Sequence, residues 1–175
     1  MKLLFYCTKR RPPLVKNNGY LLNGKIAGEC DYEIEEIFYN NIREDFGTNT
    51  IIKQEELFEK SCTDYCSLYE YLNIDDDNDN IGYAIHIKNL KIFNEPRELK
   101  DFCRAESIDG HSPCWHCKRF GSGCYSCNIK APQNMKYVYD VAEKKILIPI
   151  HPDLLCQILN GDCSVIVKKR ILKGM

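Results

Sequence analysis

The sequence predicts an α+β domain whose main element is a curled, barrel-like sheet. Residues 25–38 and 83–93 alternate apolar and polar side chains with a period of two, which is typical of strands, and 25–38 leaves one wet, acidic face. The helical patterns between the strand candidates are short, and no glycine-rich phosphate loop is present. These observations favour a strand-dominated α+β fold over a parallel sheet of the βαβ type.

About six strands and four short helices are predicted along the chain. The strand candidates are residues 2–7, 25–38, 83–93, 135–141, 145–150 and 164–171. The helix candidates are residues 54–60, a helix capped by Asp64, a helix that begins at Asn94 as its cap, has Pro96 and carboxylates in its first turn and ends near Cys103, and residues 151–159. Gly161 is suited to the left-handed residue that ends the last helix.

Length, charge and cysteine content limit the classes of protein. The chain has 175 residues, the size of one domain, and its net charge of −1 means that any nucleic-acid contact needs a local basic patch. No export signal is recognised in residues 1–7, and no apolar run reaches the roughly 20 residues of a membrane span. The 11 cysteines are therefore expected in a reducing cytoplasm, as metal ligands or free thiols. Cys62 and Cys66, one helical turn apart, are predicted in the core, with a weak metal pair as the alternative.

A cysteine-rich segment, about residues 104–130, predicts a structural zinc site. Two Cys-x-x-Cys pairs, separated by six residues, supply four thiolates, which complete the tetrahedron that Zn²⁺ prefers and leave no position for a substrate. The predicted ligands are Cys114, Cys117, Cys124 and Cys127. A redox pair, an iron–sulfur cluster and unligated thiols are the alternatives, and Cys103, His111 or His116 could replace one ligand.

Five segments carry a family resemblance. They are Leu4–Lys9, Gly24–Cys30, Ser61–Leu72, Ala84–Phe102 and Ala131–Val138. In that order they resemble a Tyr-Ile-Tyr-Cys-Thr-Lys strand, a Gly-Lys-Ile-x-Gly-Glu-Phe strand, a short Ser/Ala-Cys helix, a Trp-His-Ile strand with its Lys-Pro-x-Glu-Leu helix, and a Pro-Pro-Gln-Ser-Trp-x-Tyr-Val strand. These motifs belong to the phage and prophage branch of the ASCH family, in which a cysteine-rich insert is also usual. The resemblance implies a PUA-like β-barrel with flanking short helices.

One family motif stands at the opposite end of this chain. Members of the family begin with an Ile-Lys-Pro strand, a helix and a Gly-x-Lys-x-x-Glu-x-Arg strand, whereas the matching pattern here lies in residues 146–171. Domain termini often lie close together, and residues 140–145 are a short polar link between them. We interpret the chain as a circular permutant of the barrel that forms one domain over residues 1–175. A tandem array with a truncated second copy is the alternative.

The resemblance also implies a cleft, with which some family members bind RNA, cleave RNA or hydrolyse an acetylated cytidine. The two lysine positions of that cleft are His151 and Cys163 here, the glutamate position is Ile166 and the arginine position is Lys168. Loss of the lysine and the glutamate argues against catalysis, so no catalytic residue is assigned. The residues considered for catalysis are Cys163, His86, His151 and Glu29.

Basic strand ends predict nucleic-acid binding instead. Basic side chains hold a phosphate backbone, and Tyr6 and Tyr20 are placed to stack a base. The predicted contact residues are Lys9, Arg10, Arg11, His86, His151, Lys168 and Lys169. The favoured function is a non-enzymatic module that binds RNA or a modified nucleotide and carries structural Zn²⁺. The alternatives are a nucleoside- or RNA-processing enzyme and a phage-encoded module that binds a host protein, and solvated strand ends would explain the basic residues without any ligand.

Overall fold

The fold is α+β, with a mixed, strand-based sheet and few short helices. It was analysed in a computed structural model that describes residues 1–10, 13–38, 50–72, 80–104, 129–140 and 143–175. The predicted α+β class is therefore confirmed. The described strands of the main sheet do not close, because β6 and β9, defined below, are its two edges, so the PUA-like barrel stays a prediction.

Seven strands form one sheet, and two short strands form a separate ribbon. The strands are β1 Leu3–Cys7, β2 Lys16–Asn17, β3 Tyr20–Leu21, β4 Ile26–Phe38, β5 Asn80–Arg97, β6 Cys103–Arg104, β7 Lys136–Asp140, β8 Glu143–Ile150 and β9 Val165–Lys168. The helices are α1 Thr50–Ser61, α2 Tyr65–Leu72 and α3 Pro152–Asn160, with a 3-10 turn at Leu99–Asp101. The sheet order is β6-β7-β8-β1-β4-β5-β9. β1 is parallel to β8 and antiparallel to β4, and β9 is antiparallel to β5.

The chain divides into two compact units. The first comprises Met1–Asp31 and Asn89–Cys156, and the second comprises Tyr32–Lys88 and Gln157–Met175. The long strands β4 and β5 and the helix α3 each contribute residues to both units.

The core of the first unit forms around β1. All five residues of β1 are buried, because this apolar strand is paired on one side with β8 and on the other with β4. Alternate side chains of β1 join one apolar cluster, as the period of two in a strand requires. Its buried members are Leu4, Tyr6, Ile26, Phe102, Ile129, Val138 and Leu147.

The core of the second unit forms where α1 and α2 pack on the strands. Leu68 and Leu72 lie one turn apart on α2 and so face the same way. They meet Ile37 of β4, Ala84 of β5 and Val165 of β9. Beside them pack the partly buried Leu57, Phe58 and Val167.

Turns and caps follow the local chemistry that the sequence predicts. Asn18 and Gly19 link β2 to β3 with positive φ angles of 48° and 79°, which suits a tight hairpin. Asp64 caps α2 by accepting a hydrogen bond of 2.9 Å from the Ser67 N–H. Gly161 ends α3 with a φ of 83°, which confirms the predicted left-handed residue.

The predicted helix from Asn94 to near Cys103 is wrong. β5 continues through Arg97, and only a 3-10 turn follows at Leu99–Asp101. Asp101 Oδ2 accepts a hydrogen bond of 2.9 Å from the Glu98 N–H, so the capping function that was predicted for Asn94 lies four residues later. The physical reason is Pro96, because a proline favours an extended conformation in the residue before it and so prolongs the strand.

Candidate functional site

The acidic face predicted for β4 is largely neutralised by partners. Four carboxylates alternate along this face, and each bonds to a basic or amide side chain. The pairs are Glu29 with Lys145, Asp31 with Lys2 and Asn89, Glu33 with Lys88, and Glu35 with His86. The first and last pairs each belong to a larger group of side chains.

The first group is the Lys145 cluster, composed of Glu29, Arg97, Asp140 and Lys145 in the first unit. The Lys145 side chain is only 8% exposed, and its Nζ donates hydrogen bonds to Glu29 Oε2 at 2.8 Å and to Asp140 Oδ2 at 3.0 Å. Arg97 donates to both oxygens of Asp140 at 2.8 and 2.9 Å and lies 4.2 Å from the ring centroid of Phe102. Two cations thus compensate two carboxylates.

Electrostatics fix the charge of this cluster. Burial alone would raise the pKa of the Asp140 carboxyl, but the bonds from Arg97 and Lys145 outweigh it and hold that pKa below its usual value. Burial alone would lower the pKa of Lys145, but the bonds to Glu29 and Asp140 raise it. Lys145 is therefore protonated at neutral pH and is no general base. Glu29, considered for catalysis, serves here as its ion-pair partner.

The second group lines the His86 cleft, a cavity of about 190 Å³ in the second unit. Strand alternation places His86 on the same face of β5 as Ala84, which belongs to the apolar core. In the β5–β9 pairing His86 stands opposite Val165. The lining residues are Glu35, Glu56, Leu57, Lys60, His86 and Val165. The cleft therefore lies where the core between α1 and the strands gives way to charged side chains.

The chemistry of the His86 cleft is that of an accessible histidine–carboxylate pair. His86 Nε2 lies 3.0 Å from Glu35 Oε2, and the two side chains are 31% and 52% exposed. Glu56 accepts a hydrogen bond from Lys60, which lowers the pKa of the Glu56 carboxyl and keeps it ionised at neutral pH. Such a set can hold a proton, pass a proton or bond to the polar edge of a ligand.

The other residues considered for catalysis have separate partners. In the first unit, His151 Nδ1 lies 3.1 Å from Asp153 Oδ2 at the beginning of α3. In the second unit, Cys163 is buried, its thiol donates to the Val165 carbonyl at 3.2 Å, and burial raises its pKa to about 11. So little thiolate exists at neutral pH that Cys163 is a poor nucleophile.

The Tyr71 patch of the second unit is defined by Tyr71, by Lys169, which lies beside its ring, and by Arg170, the next residue in the chain. The Tyr71 ring is 44% exposed, and Lys169 Nζ lies 5.6 Å from its centroid. Lys169 and Arg170 are exposed directly after β9. Lys168, also predicted as a contact, is less accessible, and burial lowers its pKa.

The first unit carries the other basic strand end. Lys9 and Arg10 are exposed after β1, and Arg11 lies outside the described residues. Tyr6 is fully buried in the core, so the prediction that it stacks a base is wrong. Tyr20 is exposed, and its hydroxyl donates to Glu95 Oε1 at 3.3 Å.

Sequence reasoning missed several residues of these groups. The acidic face of β4 was recognised, but neither Lys145 nor the Glu56–Lys60 pair was assigned to it. The spacing of Glu56 and Lys60, four residues apart on a predicted helix, was a usable signal for an ion pair. Tyr71 gave no local signal, because its cation partner Lys169 comes from a distant strand end.

The predicted zinc ligands lie in residues 105–128, outside the described part of the chain. Within the described ranges, no group of three or more His, Cys, Asp or Glu side chains is arranged to hold a metal ion. No helix in those ranges has both the length and the apolar character needed to cross a membrane. Comparison of the chain with protein-family models, curated proteins and solved structures finds no match.

Proposed function

We propose that this protein is a non-enzymatic PUA-like module of the ASCH type that binds RNA or a modified nucleotide. The observation that carries the proposal is the Tyr71 patch, in which an exposed ring lies beside the exposed Lys169, and the exposed Arg170 follows in the chain. Single-stranded nucleic acids are bound by this combination, because bases stack on aromatic rings and phosphates pair with basic side chains. Lys9 and Arg10, exposed in the first unit, are proposed as further phosphate contacts.

The order of elements supports the proposed permutation. β8, α3 and β9 form a strand–helix–strand segment like the one with which ASCH proteins begin. β9 pairs with β5 at one edge of the seven-stranded sheet, so the last strand belongs to the same sheet as β1 and β8, which supports the permutation. In this proposal the chain is a cytoplasmic protein of phage or prophage type.

The residues at the catalytic positions of the family support binding rather than chemistry. Cys163 and Ile166 stand where the family has a lysine and a glutamate, and both are buried. A buried thiol and an alkyl side chain cannot replace an ammonium and a carboxylate that contact a substrate.

The zinc site is proposed as a structural staple. Four cysteine thiolates are a complete tetrahedral donor set for Zn²⁺, and the predicted ligands are Cys114, Cys117, Cys124 and Cys127. A saturated site has no position for a substrate, so the metal would stabilise the insert at residues 104–130 and supply no catalysis.

Replacement of Tyr71 tests the proposal. Tyr71→Leu should weaken binding of a single-stranded RNA about 5- to 150-fold, because a stacked base contributes about 1–3 kcal/mol. Fluorescence anisotropy with a labelled oligonucleotide measures the effect. Tyr137→Leu is the matched control, since this ring also lies beside a lysine, Lys144, at 3.9 Å but in the first unit. Equal binding by both variants and the parent protein would contradict the proposed interface.

The second candidate is an enzyme that processes RNA or a nucleoside, which the His86–Glu35 pair favours. In that case the protein should turn over RNA or an acylated nucleoside, and His86→Gln should lose that activity while Lys60→Gln retains most of it. Turnover that depends on His86 would replace the binding proposal. If RNA binding is absent and a host protein binds only when residues 104–130 are present, the zinc insert is an interaction module instead.

A further inference from the structure

The end of α1 has an unusual residue at its left-handed position. Cys62 follows α1 with a φ of 52°, in the conformation that glycine usually supplies at a helix end. Its N–H donates to the Glu59 carbonyl at 3.4 Å, and the Thr63 N–H donates to the Phe58 carbonyl at 3.3 Å, which is the pattern of a Schellman motif. The left-handed conformation costs a non-glycine residue about 1–2 kcal/mol, so other contacts must hold Cys62 in place.

The end of α3 has the same motif with the usual residue. Gly161 has a φ of 83°, its N–H donates to the Ile158 carbonyl at 3.2 Å, and the Asp162 N–H donates to the Gln157 carbonyl at 2.9 Å. Glycine adopts this conformation without steric cost. The two helix ends therefore share one motif, but the left-handed residue of α1 carries a –CH2–SH side chain where that of α3 has only a hydrogen atom.

Contacts bring Cys62 to the segment that follows Gly161. Cys62 Sγ donates a hydrogen bond to the Asp162 carbonyl at 3.2 Å, which brings it next to the following residue, Cys163, and burial together with the Cys62 thiol raises the pKa of the Cys163 thiol. Beside them the Ser164 N–H donates to the Lys60 carbonyl at 2.8 Å. Cys62 is exposed and Cys163 is buried, so a reachable thiol lies against a protected one. The exposure of Cys62 and Cys66 also shows that their predicted place in the core is wrong.

We propose that Cys62 and Cys163 are a redox modification site that forms a reversible disulfide when the protein meets a peroxide. The accessible Cys62 thiolate attacks the O–O bond of hydrogen peroxide and becomes a sulfenic acid, and the leaving hydroxide takes up a proton to give water. Cys163 then attacks the sulfenic sulfur as a thiolate, which burial keeps scarce but which is strongly nucleophilic and has the sulfenic acid as its neighbour. The S–S bond forms, the S–O bond breaks, and the departing hydroxide takes up the proton that Cys163 released, giving a second water. Two thiols and one peroxide thus give one disulfide and two waters.

The disulfide would join two walls of the His86 cleft. Lys60 lies two residues before Cys62, Val165 lies two residues after Cys163, and both line the cleft. A covalent link between the end of α1 and the beginning of β9 therefore restricts the movement of these walls. This inference does not depend on the proposed binding of RNA.

Peptide mapping of the full-length protein tests the inference. The reduced protein is treated with one equivalent of hydrogen peroxide, the remaining thiols are alkylated, and the digest is examined by mass spectrometry. The expected product is a Cys62–Cys163 peptide that disappears after treatment with dithiothreitol. Cys66→Ser, which removes the exposed thiol of α2, should leave the yield unchanged, whereas Cys62→Ser should abolish it. Mapping separates this product from disulfides of the zinc-binding cysteines.

A second variant keeps the test decisive. In Cys163→Ala the sulfenic acid at Cys62 has no resolving thiol, so dimedone should label Cys62 at least tenfold more than in the parent protein. In the oxidised parent protein, amide hydrogen exchange in the last turn of α1 should be slower than in the reduced protein. Peroxide treatment that leaves Cys62 and Cys163 as free thiols, oxidises Cys62 to a sulfinic acid in the parent protein, or pairs either cysteine elsewhere would overturn the inference.

Discussion

The Lys145 cluster and the His86 cleft are built from the same materials, and they differ in their access to water. Each contains a carboxylate from the acidic face of β4 and a basic partner on another strand. Lys145 and Glu29 are 8% and 13% exposed, whereas His86 and Glu35 are 31% and 52% exposed. In the cluster every charge is compensated, and Lys145, Glu29 and Asp140 are withdrawn from solvent, while the cleft keeps side chains that a ligand can reach.

An ion pair on this strand face is therefore not by itself a sign of function. Removal of one partner from a buried pair leaves an uncompensated charge in a poorly solvated place, which strongly lowers the free energy of unfolding. Removal of one partner from an exposed pair costs little, because water solvates the remaining charge. Replacement of one partner should therefore lower the free energy of unfolding strongly in the Lys145 cluster and weakly in the His86 cleft.

Loss of Lys145 should give the largest effect. Lys145→Met leaves Glu29 and Asp140 without their shared cation, and we expect the free energy of unfolding to fall by about 3–5 kcal/mol in urea denaturation. Lys144→Met is the control, because the neighbouring lysine is exposed and should cost less than about 1 kcal/mol. Equal effects of the two replacements would contradict the structural role of the cluster.

The second largest effect on stability should come from low pH, which removes the charge of Asp140. Because Arg97 and Lys145 hold the pKa of Asp140 below the ordinary value of about 3.9, the unfolded carboxyl takes up a proton at higher pH than the folded one. The contribution of Asp140 is therefore complete above its unfolded pKa and is lost as the pH falls through its folded pKa, with a slope of at most about 1.4 kcal/mol per pH unit.

Urea midpoints between pH 6 and pH 2 measure this dependence. Asp140→Asn should flatten the acid limb of the stability curve, whereas Asp31→Asn should flatten it less, because the Asp31 pair is exposed to water. An acid limb that is as steep in Asp140→Asn as in the parent protein would show that Asp140 is not the group responsible.

Replacement of His86 should have the smallest effect on stability. His86→Gln removes the partner of Glu35 from an accessible pair, and we expect the free energy of unfolding to change by less than about 1 kcal/mol. A loss above about 2 kcal/mol would show that His86 has a structural role like that of Lys145 and would contradict the distinction between the two groups.

Local patterns predicted those parts of the fold that depend on neighbours in the sequence. The buried run of β1, the alternation of β4 and the left-handed Gly161 each follow from a periodicity or a residue type. The helix at Asn94 failed because proline and carboxylates are frequent both in a first helical turn and in an extended segment before a short turn.

The partners in the candidate sites could not be predicted in the same way. Glu29 and Lys145 are separated by 116 positions, and His86 and Glu35 by 51. Such pairings depend on the order of strands in the sheet, which the sequence did not determine. The sequence identified the carboxylates but could not distinguish the buried pair from the accessible one.

The salt dependence of RNA binding tests the central proposal most directly. Lys169→Gln combined with Arg170→Gln removes two exposed cations from the Tyr71 patch, and the slope of log K against log salt concentration should decrease in magnitude by about 1.4. Lys144→Gln combined with Lys130→Gln removes the same charge from exposed positions in the first unit and should leave the slope unchanged. An unchanged slope in the Tyr71 patch variant, or an equal decrease in both variants, would contradict the proposed binding site.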